Sequence, residues 1–318
     1  MNALYAQLCR YDTQAWRTAI DKLSAEIHLI DRNATRIWFA FYPLDLHLAL
    51  AEAEDEAGLA RKLGLMGQWR LADQIDASHR FLYAHRYWPQ VKAAIQRPPD
   101  ALPDDLAALI SVFAEAAGRT ARVDREFLLG IAAVLLMTLR QVGPDAFAEA
   151  PGTIHLSERA RALSPHQVLK ARARDDWQGL FGFTRGLRKQ WSVTFDEAEP
   201  EAKFTLIEGQ EIASGARTDK RDYHARDPRC TPDEGPIPVE CRAASCGTCW
   251  VGVLGGAEKL SPVVDRDERR RMKVFGYLDS TEERPLIRLA CQARAHGAVS
   301  IVIPPWNGVF ASCLRREA

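Results

Sequence analysis

The chain has 318 residues, of which 47% are hydrophobic and 26% charged, with 42 Lys plus Arg against 42 Asp plus Glu. That length permits two domains with separate cores, and the even charge balance excludes bulk attraction to nucleic acid or an anionic membrane. The first residues, MNALYAQLCRYDTQAW, lack the basic-then-apolar pattern of a secretory signal. The longest apolar run, Leu128 to Leu139, is shorter than the roughly 20 residues a spanning helix needs. No transmembrane segment is expected, and the expected location is cytoplasmic.

The N-terminal half reads as helical. Asp12 and Thr13 are placed to cap a helix that carries Trp16, Ile20, Leu23 and Ile27 on one face. Asp104 precedes Leu106, Leu109, Ile110 and Phe113 in the same manner. Asp124 opens a helix through the Leu128–Leu139 run, which Gly143 and Pro144 close. Being apolar nearly all round, that helix is expected at the centre of a bundle. Phe81, His85 and Trp88 would share a helical face, with His79, Tyr83 and Tyr87 nearby. Such a face could line a haem or flavin, but a packed face with a satisfied histidine is the simpler reading.

From about Glu149 to Gln190 the pattern weakens. Ser164–Pro165 predicts a helix over Gln167 to Ala173, and the stretch ends in the basic GFTRGLRKQW, so a surface connector is expected. Beyond Trp191 the texture is that of strands. WSVTF and KFTLIEG suggest a hairpin, and PVEC, CWVGVL, LIRLAC and AVSIVIP are further short strands. The fold class is therefore α+β multidomain, an all-α domain followed by a mixed sheet with one or two helices.

Seven cysteines are unevenly spread: Cys9 alone, then Cys230, Cys241, Cys246, Cys249, Cys291 and Cys313. In a chain without a secretion signal, such a cluster points to a metal or redox site before disulfides. Cys241-Arg-Ala-Ala-Ser-Cys246-Gly-Thr-Cys249 has C-x₄-C-x₂-C spacing, with Cys291 in RLACQ as a distant fourth thiol. This is the spacing of a plant-type 2Fe–2S cluster. Three thiolates must converge from one tight loop, so the side chains between them must be small. Ala243, Ala244, Ser245, Gly247 and Thr248 satisfy that need, and the loop aims backbone N–H groups at sulfur. A zinc site made from the same four thiolates is the competing reading, although zinc sites usually come as two C-x₂-C knuckles.

From Trp191 to Pro304 the sequence resembles the plant-type and adrenodoxin-like ferredoxins, whose fold is a β-grasp. The resemblance rests on the cysteine loop, the preceding hairpin, the KLSP turn and RLACQ followed by SIVIP. It implies that Cys241 and Cys246 hold the outer iron, which changes valence, and Cys249 and Cys291 the inner one. It also implies electron transfer with a redox partner protein, a reductase or an acceptor oxidoreductase. Two segments depart from the family: the polar stretch 216–238, with Cys230 and four prolines, and the stretch 255–285 with DRDERRRMK. Many ferredoxins present an acidic helix near the latter, where this chain has Arg269, Arg270 and Arg271.

Cys9, Cys230 and Cys313 complete no ligand spacing and are read as spare thiols; His28 and His47 lack partners at metal-ligand spacing. No G-x-G-x-x-G follows a strand, and there is no Walker loop and no second, 4Fe–4S type cysteine set. The expected organisation is a helical domain over 1–148, a basic connector over 149–190 and a ferredoxin-type domain over 191–318. The expected activity is that of an electron carrier or electron-transfer subunit. The alternative is a redox-responsive binding protein in which the cluster controls the helical domain.

Overall fold

In the computed structural model, residues 1–175, 189–263, 266–277 and 282–310 are described. Helices dominate the first half because apolar residues recur there at helical spacing between side chains that cap. They are α1 (Asn2–Leu8), α2 (Thr13–Ser24), α3 (Leu29–Phe41), α4 (Leu44–Ala51), α5 (Glu56–Lys62), α6 (Trp88–Gln96), α7 (Leu106–Ala121), α8 (Arg125–Val142), α9 (Pro144–Glu149), α10 (Glu158–Ala162) and α11 (Pro165–Ala171). Asp12 caps α2 by accepting from Ala15 N at 2.8 Å. The cap of α7 is Asp105, accepting from Ala108 N at 2.8 Å. Asp104, the residue expected there, forms an ion pair with Arg10 instead.

The chain divides into two compact units, Met1–Ala49 with Arg70–Pro165 and Leu50–Trp69 with His166–Ala318. In the first, every residue of α8 from Leu128 to Leu139 is buried, as its all-round apolarity requires. Gly130 lets α3 approach, because a Cβ there would stand 2.3 Å from Thr35 Oγ1. The aromatic stretch does not form the expected helical face. Tyr83–Tyr87 is a 3₁₀ turn, and α6 begins only at Trp88. His79 and His85 are fully buried, with their Nδ1 atoms 2.8 Å apart. Burial holds both below the ordinary imidazole range, His85 at about 4, so they are neutral core side chains.

The second unit contains β1 (Met66–Gly67), β2 (Gln190–Thr194), β3 (Lys203–Ile207), β4 (Trp250–Gly255), β5 (Ile287–Leu289), β6 (Val299–Val302) and β7 (Trp306–Asn307), with helices α12 (Ile212–Ala216) and α13 (Arg266–Phe275). Five strands form a mixed sheet in the order β3-β2-β6-β4-β5. β2 and β3 make the expected antiparallel hairpin, β2 and β6 run parallel, and β4 is antiparallel to both β6 and β5. Edge strand β3 alternates buried Phe204 and Leu206 with exposed neighbours, whereas β5 and β6 are buried throughout. Pro238–Cys241 is not a strand; Pro236 and Pro238 have no N–H to give a ladder.

The expected boundaries differ from these units in two places. Part of the expected connector belongs to the second unit: Arg172 pairs with Glu197 at 2.8 Å, nearly buried, and Asp175 accepts from Ala298 N at 2.8 Å. The basic residues 182–188 of that connector lie outside the described residues, as does Cys313. Residues 50–69, expected in the helical domain, also join the second unit. There β1 pairs antiparallel with β7, Gln68 N donates to Pro305 O at 2.8 Å, and Val309 N donates to Leu63 O at 2.7 Å. Leu63 is fully buried. Leu63→Ala should therefore destabilise the second unit by about 2–5 kcal/mol, measured as an earlier loss of visible absorbance in a urea titration. No shift would mean that the 50–69 segment contributes nothing to that fold.

Candidate functional site

The loop from Cys241 to Cys249 is wound more tightly than ordinary side chains favour. Arg242, Ala244 and Gly247 all have left-handed φ, at 54°, 56° and 76°. Such reversals turn successive N–H groups inward, forming a concavity that favours negative charge. Cys241 Sγ accepts from the N–H groups of Ala243, Ser245 and Cys246 at 3.4, 3.2 and 3.3 Å. Cys246 Sγ accepts from Thr248 Oγ1 at 3.0 Å and from Thr248 N at 3.5 Å.

The distant cysteine arrives by strand register. β4 begins immediately after Cys249 and β5 ends just before Cys291. Pairing of Trp250 with Leu289 sets the two cysteines side by side, and Ala290 N donates to Cys249 O at 2.9 Å. The four thiols thus form two pairs. Cys249 and Cys291 share a hydrogen bond and are buried, 2% and 7% exposed. Cys241 and Cys246 also share one and are half-buried. Among the described residues, no group of three or more His, Cys, Asp or Glu side chains is arranged to hold a single metal ion.

The thiol acidities follow from these contacts. Burial works to raise Cys241, but hydrogen bonds from Ser245, Ala243 and Cys246 prevail and lower it to about 7. The Cys249 thiol donates to Cys291, so Cys291 falls to about 6 despite its burial, and Cys249 is pushed well above its usual value. Each pair therefore favours negative charge on one sulfur.

A second layer holds the loop in place. The ring of Phe275 lies against Gly247, where a Cβ would come within 2.9 Å of it. Tyr277 stacks on Trp250 at 4.0 Å, and its hydroxyl donates to Gly247 O at 2.9 Å with Gly308 O at 3.2 Å. Trp250 Nε1 donates to Trp306 O at 3.0 Å, which joins the loop to β7. Under α13, Glu268 and Arg288 form a buried pair at 3.0 Å, 4% and 1% exposed, and Glu268 also accepts from Leu289 N at 3.3 Å. The segment before the loop is anchored separately: Arg242 pairs with Glu234.

Residues 233–296 match the family model of the 2Fe-2S iron-sulfur cluster binding domain. The C-terminal unit carries a 2Fe-2S domain. The match spans all four expected cysteines, and this domain binds a 2Fe-2S cluster. The donor set suits that group, since two bridged irons need two thiolate pairs and N–H donors on sulfur. No curated protein and no solved structure matches the chain.

Of the remaining thiols, Cys230 is buried, donates to Pro236 O at 3.4 Å, and is raised to about 12 by burial and the Asp227 carboxylate. Cys9 is exposed in the first unit. Tyr277, Glu268 and the 63–68 segment also support the 2Fe-2S domain, beyond the residues to which the sequence points. Arg288, set between Ile287 and Leu289 in an apolar strand, was the available signal, because a cation there demands a buried partner. Glu268→Gln should cost about 3–5 kcal/mol by leaving Arg288 uncompensated, and Glu268→Gln combined with Arg288→Met should recover much of it. Urea denaturation followed by visible absorbance measures both; equal stability of all three proteins would contradict the assignment.

Proposed function

We propose that the protein is an electron carrier, or the electron-transfer subunit of an oxidoreductase, that exchanges electrons with a protein partner. Cys241 and Cys246 would hold the iron nearer solvent, and Cys249 and Cys291 the buried one. The observation that carries this reading is the division of the thiols into a half-buried and a buried pair. When bound, the cluster supplies one-electron chemistry between its diferric and mixed-valence states.

The polypeptide's share is positioning, dielectric and exposure. N–H groups of Ala243, Ser245 and Cys246 on Cys241 Sγ favour added negative charge at the outer pair. Trp250, Phe275 and Tyr277, all buried, keep water from the inner side. Glu234 pairs with Arg242 and also with Arg217, so part of the arginine's field on the loop is offset. Free thiols at Cys9 and Cys230 suit a reducing compartment such as the cytoplasm. Among the described residues no helix is long and apolar enough to cross a membrane. The alternative, a redox-responsive binding protein, draws support from the 50–69 segment, through which the chain of the helical unit enters the cluster unit.

Single Cys241→Ser, Cys246→Ser, Cys249→Ser and Cys291→Ser variants should each lose or strongly alter the visible spectrum. Cys9→Ser and Cys230→Ser should keep it. The intact protein should titrate near the plant-type value of about −400 mV. A spectrum that depends on Cys230, or a midpoint above 0 mV, would contradict the proposal.

A further inference from the structure

The first unit has a shallow hollow at the α7–α8 turn, lined by Arg119, Arg122 and Arg125 beside Glu115 and Asp124; its mixed charges select no ligand. The buried His79–His85 pair is enclosed by core side chains. The outer face of α13 is different, because it combines charge and exposed apolar surface on a helix whose inner side touches the cysteine loop.

We propose that this face, Arg270 and Arg271 around Val274, is the surface on which an acidic redox partner docks to exchange electrons. The proposal rests on the electron-transfer reading above. Phe275, the last residue of α13, packs on Gly247, between Cys246 and Cys249. The helix that presents this face therefore packs directly on the cysteine loop. The inner side of α13 is pinned by the buried Glu268–Arg288 pair and by Met272 and Phe275. Outward side chains are thus presented from a fixed helix, which lowers the entropy cost of docking.

The charge pattern selects the partner. Glu268 is committed to Arg288, and residues 269–275 hold no anion, in a chain whose charges balance overall. Arg269 bends back to donate to Glu282 O at 2.7 Å, which takes it out of the expected arginine trio. Arg270, Arg271 and Lys273 are exposed. Val274, one turn from Arg270 and Arg271, is 38% exposed, among the few large apolar side chains so placed. An apolar centre rimmed by cations fits a protein face with a carboxylate rim. A patch this small on a neutral chain does not suit a nucleic-acid backbone.

The test uses the full-length holo-protein, reduced with dithionite and mixed in stopped flow with cobalt(III) oxidants of opposite charge. One electron passes from the reduced cluster to tris(oxalato)cobaltate(III) or to hexaamminecobalt(III), giving cobalt(II). The anion should react faster at low salt and slow as salt rises. Arg270→Glu with Arg271→Glu should cut the anion rate about tenfold at low salt and speed the cation. Lys203→Glu, on β3 at the opposite edge of the sheet from β5, should alter neither. If the charge reversal impairs folding, Arg270→Gln with Arg271→Gln should show the same loss at smaller amplitude. Absence of a cluster in the wild-type protein would defeat the electron-transfer reading itself. With the cluster present, rates indifferent to salt and to both α13 pairs would overturn the docking face alone. Retention on duplex DNA or phosphatidylserine vesicles that the α13 substitutions abolish, with oxidant rates unchanged, would reassign the face and equally overturn the proposal.

Discussion

Four thiols must be delivered to one place as two pairs, and most of the second unit can be traced to that requirement. The loop supplies three of them only by reversing its backbone at Arg242, Ala244 and Gly247. Two of those residues have a Cβ, and left-handed φ is unfavourable for them. The same reversals turn N–H groups onto Cys241 Sγ, so local conformational cost and stabilisation of sulfur charge arise from one geometry. Strand pairing supplies the fourth thiol, since the β4–β5 register fixes where Cys291 stands relative to Cys249.

A loop under that constraint needs outside support, and the unit provides it in layers. Phe275 and Tyr277 hold Gly247 from one side, and Tyr277 and Trp250 reach the strip 306–308. That strip is held in turn by residues 63–68, from a distant part of the sequence. Arg229 adds a further tie, donating to Pro304 O at 2.9 Å and to Asn307 Oδ1 at 3.3 Å. The segments that depart from the family pattern, 216–238 and 255–285, are where Arg229, α13 and Tyr277 lie. These residues brace the loop and cover its buried side.

The parts legible in the sequence are those encoded locally. The cysteine spacing, the hairpin and the strands around Val251, Ile287 and Ile301 follow from residue type and period. So does the burial of α8, because an all-round apolar helix has no other stable place. Features set by distant pairing were not legible. Nothing near Met66 signals that it will pair with Asn307, and nothing in the region 166–175 shows that Arg172 finds Glu197. Asp104 and Asp105 are equivalent by composition; only the backbone decides which caps α7. The aromatic run 81–88 has helical period, yet Asp31 accepts from Tyr83 N and Ala84 N at 2.6 and 2.8 Å. That buried carboxylate stands over a 3₁₀ turn, where a continuous helix was expected.

The most direct test of the account is the metal and acid-labile sulfide content of anaerobically purified full-length protein, read with its colour. Two thiol pairs require about two irons and two sulfides per chain and a reddish-brown protein. A colourless protein with one zinc per chain and no labile sulfide would show that the four thiolates serve a structural site, and the central claim would be wrong.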